Sequence, residues 1–467
     1  MQPTRSRPGN DILLISCYEL GHQPAGITVA AGFLRRAGFS VKAIDVSVDG
    51  FDEQKARSAS FVGLSVPMHT ALKLGVRVAQ AVRRINPACH ICFYGLYALL
   101  NADYLLKEVG DSVIGGEYEA ALVGVARAVQ RGASIDVPGV GTRSQRAAPI
   151  LVRLDHTPPD RSVIGPLEHY ARLEIDAELR LVGYLEATRG CLHTCTHCPI
   201  PPVYGGRFFA VPIDEVMKAV RELVDSGARH ITFGDPDFLN GPAHALRLAR
   251  AMHAEFPELT FDFTAKVEHL IKHRELMAEF ASLGCIFVVS AFESLSDEVL
   301  TWLAKGHSRN DLDLAVEILE SAGIEIRPSF VSFTPWTTLD DYIGMLDWIA
   351  QRGLIDHVDP VQYSIRLLVP PGSLLLSNQD AARSFGPLDQ QSFTHGWEHP
   401  DPRMDELHRK VTSQVEQAVT ALEDPAETFE RIRELAYQTH GDEIRVTGSR
   451  LPPLRIRPPR LTEAWFC

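Results

Sequence analysis

What this chain lacks narrows it first. Basic residues do not outnumber acidic ones: 46 Lys and Arg stand against 59 Asp and Glu, for a formal charge of -13. No cationic surplus exists to displace counterions from a nucleic-acid backbone, so nucleic acid is not an expected partner. Long apolar runs are missing as well. None reaches the length that crosses a bilayer, and the opening Met1-Gln-Pro-Thr-Arg-Ser-Arg-Pro has no apolar core of an export signal. No membrane contact is expected, and the cytoplasm is the expected compartment. Eight cysteines in 467 residues, three of them clustered, do not make a disulfide framework. What remains, 45% hydrophobic and 22% charged, is an ordinary globular composition in a chain long enough for two cores.

The clustered cysteines lie in Glu186-Ala-Thr-Arg-Gly-Cys-Leu-His-Thr-Cys-Thr-His-Cys198, with CxxxCxxC spacing. Here too an absence informs, because ferredoxin runs and zinc ribbons bring four protein ligands and this loop brings three. Cys191, Cys195 and Cys198 would hold a four-iron, four-sulfur cluster and leave one iron open to a small molecule. A structural zinc site, or cysteines buried by chance, would use the same residues.

The elements around that loop read as two α/β units. Short β-branched runs at 11–17, 40–45, 61–66 and 90–95 alternate with helical stretches at 25–37 and 71–85. Such alternation marks a parallel sheet covered on both faces, so residues 1–135 are expected to form a doubly wound domain. Ligands in these sheets bind beyond the strands' carboxyl ends, here 18–23, 67–70, 94–97 and 115–119. Residues 136–175, rich in Pro, Gly, Ser and Arg, read as a linker. Over 176–380 the alternation resumes, with strands expected at 181–188, 230–234, 260–265, 285–291, 326–333 and 360–367, a partial (β/α)6 barrel whose chemistry belongs at the strands' carboxyl ends. Residues 381–467 read as a helical extension with a proline-rich tail. Cys89 and Cys92 lack a second pair and read as core or surface thiols.

The cysteine loop resembles the signature of the radical S-adenosylmethionine (SAM) superfamily, with His197 where an aromatic residue is usual and Arg189, Gly190 and Pro199 also fitting. That resemblance implies a 4Fe-4S cluster whose open iron is chelated by SAM, reductive cleavage of a C–S bond, and an electron donor such as flavodoxin or ferredoxin. It places Gly234, Asp235 and Asp237 where the family's Gly-Gly-Glu segment meets the SAM amino group, although a turn with an Asx cap would look the same. Glu293 falls where the family contacts the SAM ribose or carboxylate, and it also neighbours a helix cap. Arg327 and Ser329 share one face of a strand, and Arg366 lies on the next. A barrel arginine needs an anion, and SAM, substrate or an internal carboxylate would each serve. Lys266 is a weaker case of the same kind.

The N-terminal unit resembles the cobalamin-binding domain that precedes the catalytic domain in one class of these enzymes. Ser65, Gly115 and Gly116 fall where that domain cradles the corrinoid and its nucleotide tail. The DxHxxG motif that ligates cobalt is absent, and His22 and His69 stand on loops without its aspartate, which leaves cobalamin binding open. The end of the chain, Pro452 to Cys467, resembles a radical SAM group whose tails finish with paired cysteines, or cysteine and selenocysteine, then Ala-Glu-Pro. Stopping after the first cysteine suggests a selenocysteine codon read as a stop. A completed pair at Cys467 would hold a thiophilic substrate such as trivalent arsenic over the cluster, whereas a mobile tail with an incidental thiol is the plainer alternative. The expectation is a radical SAM transferase acting on a small molecule, a metalloid among the candidates. Its rivals are a cobalamin-dependent radical SAM methyltransferase and a non-catalytic iron-sulfur or zinc protein.

Overall fold

Five short strands of largely buried residues build the first sheet: β1 (Asp11–Ser16), β2 (Ser40–Asp45), β3 (Phe61–Ser65), β4 (His90–Tyr94) and β5 (Ser112–Gly116). The computed structural model describes residues 11–441 and 457–463. All five strands run parallel in the order β2-β1-β3-β4-β5. β3 and β5 are buried along their whole length, as strands covered on both faces must be. The helices Ala25–Arg36, His69–Ile85 and Glu119–Arg131 turn their apolar residues onto that sheet. Residues 136–175 contribute β6 (Gly141–Thr142) and β7 (Pro149–Ile150), both paired with β5. Strand order reverses between β1 and β3, and the loops after them, carrying Glu19 and His22 on one side and Met68 on the other, flank the crevice where such sheets hold ligands.

The second sheet opens with a hairpin, β8 (Arg172–Ile175) and β9 (Glu178–Leu185), whose two-residue turn puts Asp176 and Ala177 at φ of 50° and 62°. The cysteine loop follows, braced by a small pair, β10 (Thr188–Gly190) and β11 (Phe208–Ala210). Parallel strands β12 (His230–Phe233), β13 (Thr260–Thr264), β14 (Cys285–Glu293) and β15 (Glu325–Phe330) then extend from β9 as a curled half-barrel. On the other side β16 (Arg460–Leu461) pairs with β8 and covers its edge.

The sixth barrel position is shorter than the pattern suggests. Residues 360–367 contain the 3₁₀ turn Pro360–Ser364 and only one parallel bridge, Phe333 to Arg366. The Gln362 side chain accepts from Phe330 N at 3.0 Å, and Ser332 Oγ donates to the Gln362 carbonyl at 2.6 Å. These bonds occupy groups that a longer ladder would have used.

Behind the strands lies an aromatic stack in which Phe238 packs on Phe233 at 4.6 Å and on Phe263 at 5.0 Å between ring centres. The long helices Pro402–Ala421 and Pro425–His440 add Met404, Leu407, Phe429 and Ile432 to the same core. Among the described residues no helix is long and apolar enough to cross a membrane. Replacing Phe238, 1% exposed, with alanine should lower unfolding stability by about 3–5 kcal/mol in denaturant titration.

Candidate active site

The loop with the three thiols is held by side chains distant in sequence. Asp235 Oδ2 accepts from Ala187 N at 2.9 Å and its Oδ1 from Thr188 Oγ1 at 2.6 Å, which fixes the chain entering the loop. Asn240 Oδ1 accepts from Leu192 N at 3.1 Å, next to Cys191. Beyond Cys195, Thr196 donates to the carbonyls of Leu303 and Trp302, and its own carbonyl accepts from Ser373 Oγ. Glu293 closes the far side, accepting from Lys305 Nζ at 3.0 Å with His197 Nε2 at 3.2 Å from the same oxygen. Its φ of 64° is unusual for glutamate and sits at the bulge that ends β14.

The donor set suits a metal cluster. Burial pushes the Cys191 thiol up and the Cys198 thiol up to about 12, so thiolates here need positive charge beside them. Lys305 is one such charge: burial opposes its ionisation, but Glu293, Cys195 and Cys198 hold the ammonium above the usual lysine value. Bound iron would supply the rest. The other described cysteines are elsewhere, Cys17, Cys89 and Cys92 in the N-terminal unit and Cys285 at the opposite end of β14. Among the described residues no fourth cysteine joins the loop.

A polar chain runs beside the cysteines. Lys266 Nζ donates to His193 Nδ1 at 3.1 Å, His193 Nε2 lies 3.2 Å from His269 Nε2, and His269 Nδ1 lies 2.8 Å from Asp237 Oδ2. His193, Asp237 and His269 bring potential metal-ligand atoms within 4.8 Å of one another. Lysine can only donate, so His193 accepts at Nδ1 and presents N–H at Nε2. That polarity favours a hydrogen-bonded run from Lys266 through His193 to His269 over a metal ion, although His269 Nδ1 makes no aligned hydrogen bond to Asp237, and burial with the adjacent Lys266 keeps the His193 imidazole neutral, down to about 4.

The carboxyl ends of the two sheets meet across a cavity of about 240 Å³. Glu19, Ser65 and Gly116 line it from the first sheet, and Tyr184, Glu186 and Arg189 from the second. Gly190 and Ile200, on either side of the cysteine run, also reach it. Arg189 ties the units together, pairing with Glu186 at 3.0 Å, with Glu117 at 3.6 Å and with Glu119. Tyr204 donates to Glu117 at 3.0 Å. Burial, partly offset by Arg189, pushes Glu117 up to about 7. Burial likewise pushes Glu19 up to about 8, with backbone N–H groups opposing and Glu186 and Asp45 adding to the rise.

The residues singled out from sequence meet different fates. Cys191, Cys195, Cys198, Asp235, Asp237 and Glu293 all converge on the loop or its supports. Gly234 lines the cavity, but the Tyr184 hydroxyl fills the space at its α-carbon, 1.9 Å from where a Cβ would stand. The arginines have internal carboxylate partners, one of the alternatives open from the sequence. Arg327 pairs with Asp359 at 2.9 Å, and Arg366 pairs with Asp405 at 2.7 Å and stacks 3.5 Å over the Trp397 ring. Ser329, half-buried on β15, is registered with Ala291. Cys467, with Trp465 and Phe466, lies outside the described residues.

Of the expected cobalamin cradle, Ser65 and Gly116 open on the cavity and Gly115 does not. Leu99 stands 2.5 Å from where a Cβ on Gly115 would lie, and the Ile150 carbonyl 2.2 Å from that of Gly116. Sequence reading missed Glu19, Tyr184, His193 and His269. The signal for Glu19 was its place at the carboxyl end of β1, beside the strand-order reversal.

Comparison with known proteins agrees with this geometry. Residues 185–349 match the radical SAM superfamily and residues 12–126 the B12 binding domain. The chain thus carries a B12-binding-type domain ahead of a radical SAM domain. Hopanoid C-3 methylase of Methylococcus capsulatus is 23% identical over 324 residues, 67% of this chain and 62% of that protein. The uS12 methylthiotransferase RimO of Psychrobacter arcticus is 28% identical over 232 residues, 45% of this chain and 43% of that protein. The chain therefore spans less than two thirds of either relative's length. In fold it resembles the cobalamin-dependent SAM radical enzyme OxsB, at TM-score 0.70 and 13% identity over 92% of this chain and 72% of that one. The radical SAM methyltransferase TsrM from Kitasatospora setae gives TM-score 0.59 and 18% identity over 74% of this chain and 73% of that one.

Two outcomes follow. Asp235→Ala removes both bonds at the loop entrance, so iron bound per chain after reconstitution should fall well below wild type while the fold persists by circular dichroism. Folded Glu19 keeps a proton that the unfolded chain loses above about pH 4.5, so its contribution to stability falls as pH rises toward about 8. Glu19→Gln should accordingly gain in Tm over wild type as pH rises from about 5 to about 9; a constant difference would contradict this.

Proposed function

We propose that this chain is a radical SAM transferase whose small-molecule substrate occupies the cavity between the two sheets. The observation that carries this reading is that the cysteine loop forms part of the cavity wall through Gly190 and Ile200, so the metal-binding thiols and the cavity share one loop. Cys191, Cys195 and Cys198 would hold a 4Fe-4S cluster, which, reduced by a donor such as flavodoxin or ferredoxin, would supply the electron for breaking a C–S bond of SAM. The protein's part is to hold that chemistry in place and apart from water. Asp235 and Asn240 fix the loop, and Glu293 with Lys305 fixes its far side. In this reading Asp237 meets the amino group of SAM, and Glu293 its ribose or carboxylate. The buried contacts of Arg189 and Tyr204 exclude solvent at the domain seam.

A second reading, cobalamin-dependent methyl transfer, is favoured by the match of residues 12–126 to the B12 binding domain. The resemblance of the tail to paired-cysteine or selenocysteine endings supports a thiophilic substrate, a metalloid among them. Anaerobic reconstitution with iron, sulfide, dithionite and SAM, followed by mass analysis, separates these readings. Group transfer gives 5′-deoxyadenosine or methylthioadenosine without added cobalamin, and methyl transfer gives S-adenosylhomocysteine and needs retained cobalamin. Cys191→Ala, Cys195→Ala and Cys198→Ala should each reduce all products to background. Cleavage that persists in those variants, or none in the wild type, rejects the assignment.

A further inference from the structure

The cysteine loop has two faces. Gly190 and Ile200 turn to the cavity, and the tip between the first two thiols turns to solvent. Leu192 there is 47% exposed with Thr194 exposed beside it, while Cys191 and Cys195 are 8% and 7% exposed. One peptide bond separates a cluster thiol from the surface. Gly205 and Gly206, at φ of 57° and 78°, lay a second loop against the first, and a Cβ on Gly206 would stand 3.4 Å from the Leu192 carbonyl oxygen. Around this tip the side chains are basic, in a chain whose formal charge is -13. Arg207 follows the glycines. Arg247 lies one turn after His244 on the helix Pro242–Glu255, whose start at Gly241 lies against Phe208 and follows Asn240, the residue that holds Leu192 N. Lys272 and His273 lie one turn after His269, which touches His193.

Arg207, Arg247 and Lys272 are exposed, and among the described residues none of them has an ion pair or a side-chain hydrogen bond. Arg250, three residues past Arg247, shows the contrast, because Glu279 answers it at 2.7 Å. The acids on these elements and the turn after them are Glu255, taken by Arg221 at 2.7 Å, Glu268, taken by Lys266 at 3.2 Å, and Glu275, which follows Arg274. An electron for the cluster has to cross the protein wall, and tunnelling falls off steeply with distance, so a donor gains most by seating where one residue covers a thiol. We infer that the loop tip is the docking face for the protein that reduces the cluster, a small acidic electron carrier whose carboxylates meet Arg207, Arg247 and Lys272 while its apolar rim covers Leu192. This rests on the three thiols holding a redox cluster, and it adds the partner's charge and its place on the molecule. The acidic remainder of the surface repels such a partner, so the local cations steer it to the tip. One electron leaves the carrier's reduced centre, which is oxidised by one step, and the cluster is reduced by one; no proton or further reactant is required.

The test compares two kinds of reductant on the reconstituted full chain: dithionite, which needs no docking face, and a reduced acidic flavodoxin or ferredoxin. Cluster reduction is followed by stopped-flow absorbance and SAM cleavage by mass analysis. Arg207→Glu/Arg247→Glu should slow reduction by either carrier about tenfold or more, with Lys272→Glu acting in the same direction. Reduction of the wild type by a carrier should also slow several-fold as salt rises from about 0.05 to about 0.3 M, a result that stands on its own should a variant fold poorly. Iron content and dithionite-driven cleavage should stay at wild-type levels in all three substitutions. Arg57→Glu/Arg131→Glu, the same charge change at exposed sites on the N-terminal unit, should leave the carrier rate within about twofold. Carrier rates unchanged in the tip variants, an equal loss in the N-terminal pair, a wild-type rate indifferent to salt, or no reduction by either carrier while dithionite succeeds overturns the inference. So does loss of RNA-oligonucleotide binding, in place of carrier reduction, from the tip variants. Intact cleavage with no carrier effect defeats the inference alone, and absent cleavage with an intact carrier effect on cluster reduction defeats the assigned reaction alone.

Discussion

A loop that offers three sulfurs to a metal cluster must be held by something other than sulfur. Three thiolates fix a cluster at three corners, and the position of the fourth depends on how rigidly the peptide between them is supported. Here the supports are oxygen and nitrogen groups from the segment after β12, the end of β14 and the turn after the helix Asp297–Trp302. Each lies at a carboxyl end of the half-barrel, which is why the loop sits at the barrel mouth. Glu293 illustrates the coupling. Its left-handed backbone carries a local strain, and the buried Lys305 and His197 contacts hold it there.

The same loop joins the two units. Arg189 lies two residues before the first cluster cysteine, and its guanidinium is buried among carboxylates from both sheets. Buried ion pairs of this kind add little net stability, yet removing one partner costs about 3–5 kcal/mol, so they act chiefly to fix one relative placement of the units. The outcome is a cavity with a doubly wound sheet on one side and a cysteine loop on the other. On the first side it sits where strand order reverses, the position open parallel sheets use for ligands.

Much of this was legible in the chain, and what was not has physical reasons. The missing fourth cysteine, the alternation of strand and helix, and the order of Gly234-Asp235 and Glu293 after the loop all follow from local patterns. Partner choice does not. Periodicity puts Arg327 and Arg366 on strand faces but cannot say that Asp359 and Asp405 would answer them. The sixth strand looked regular, but the side chain of Gln362 takes the backbone N–H of Phe330 and the segment folds into a turn. Ser65 and the two glycines resemble a corrinoid cradle, but the sequence does not tell that Ser65 and Gly116 open on the cavity while Gly115 packs under Leu99. The histidine chain through His193 and His269 joins residues 76 positions apart, with no spacing to announce it.

The central claim is that the polypeptide leaves one corner of a four-iron cluster for SAM. Electron paramagnetic resonance of the dithionite-reduced, reconstituted protein tests it most directly. The account predicts the signal of a reduced 4Fe-4S cluster whose g values shift on addition of SAM, as its amino and carboxylate groups bind the open iron. A spectrum unchanged by SAM, or a chain that binds zinc in place of a cluster, would contradict it.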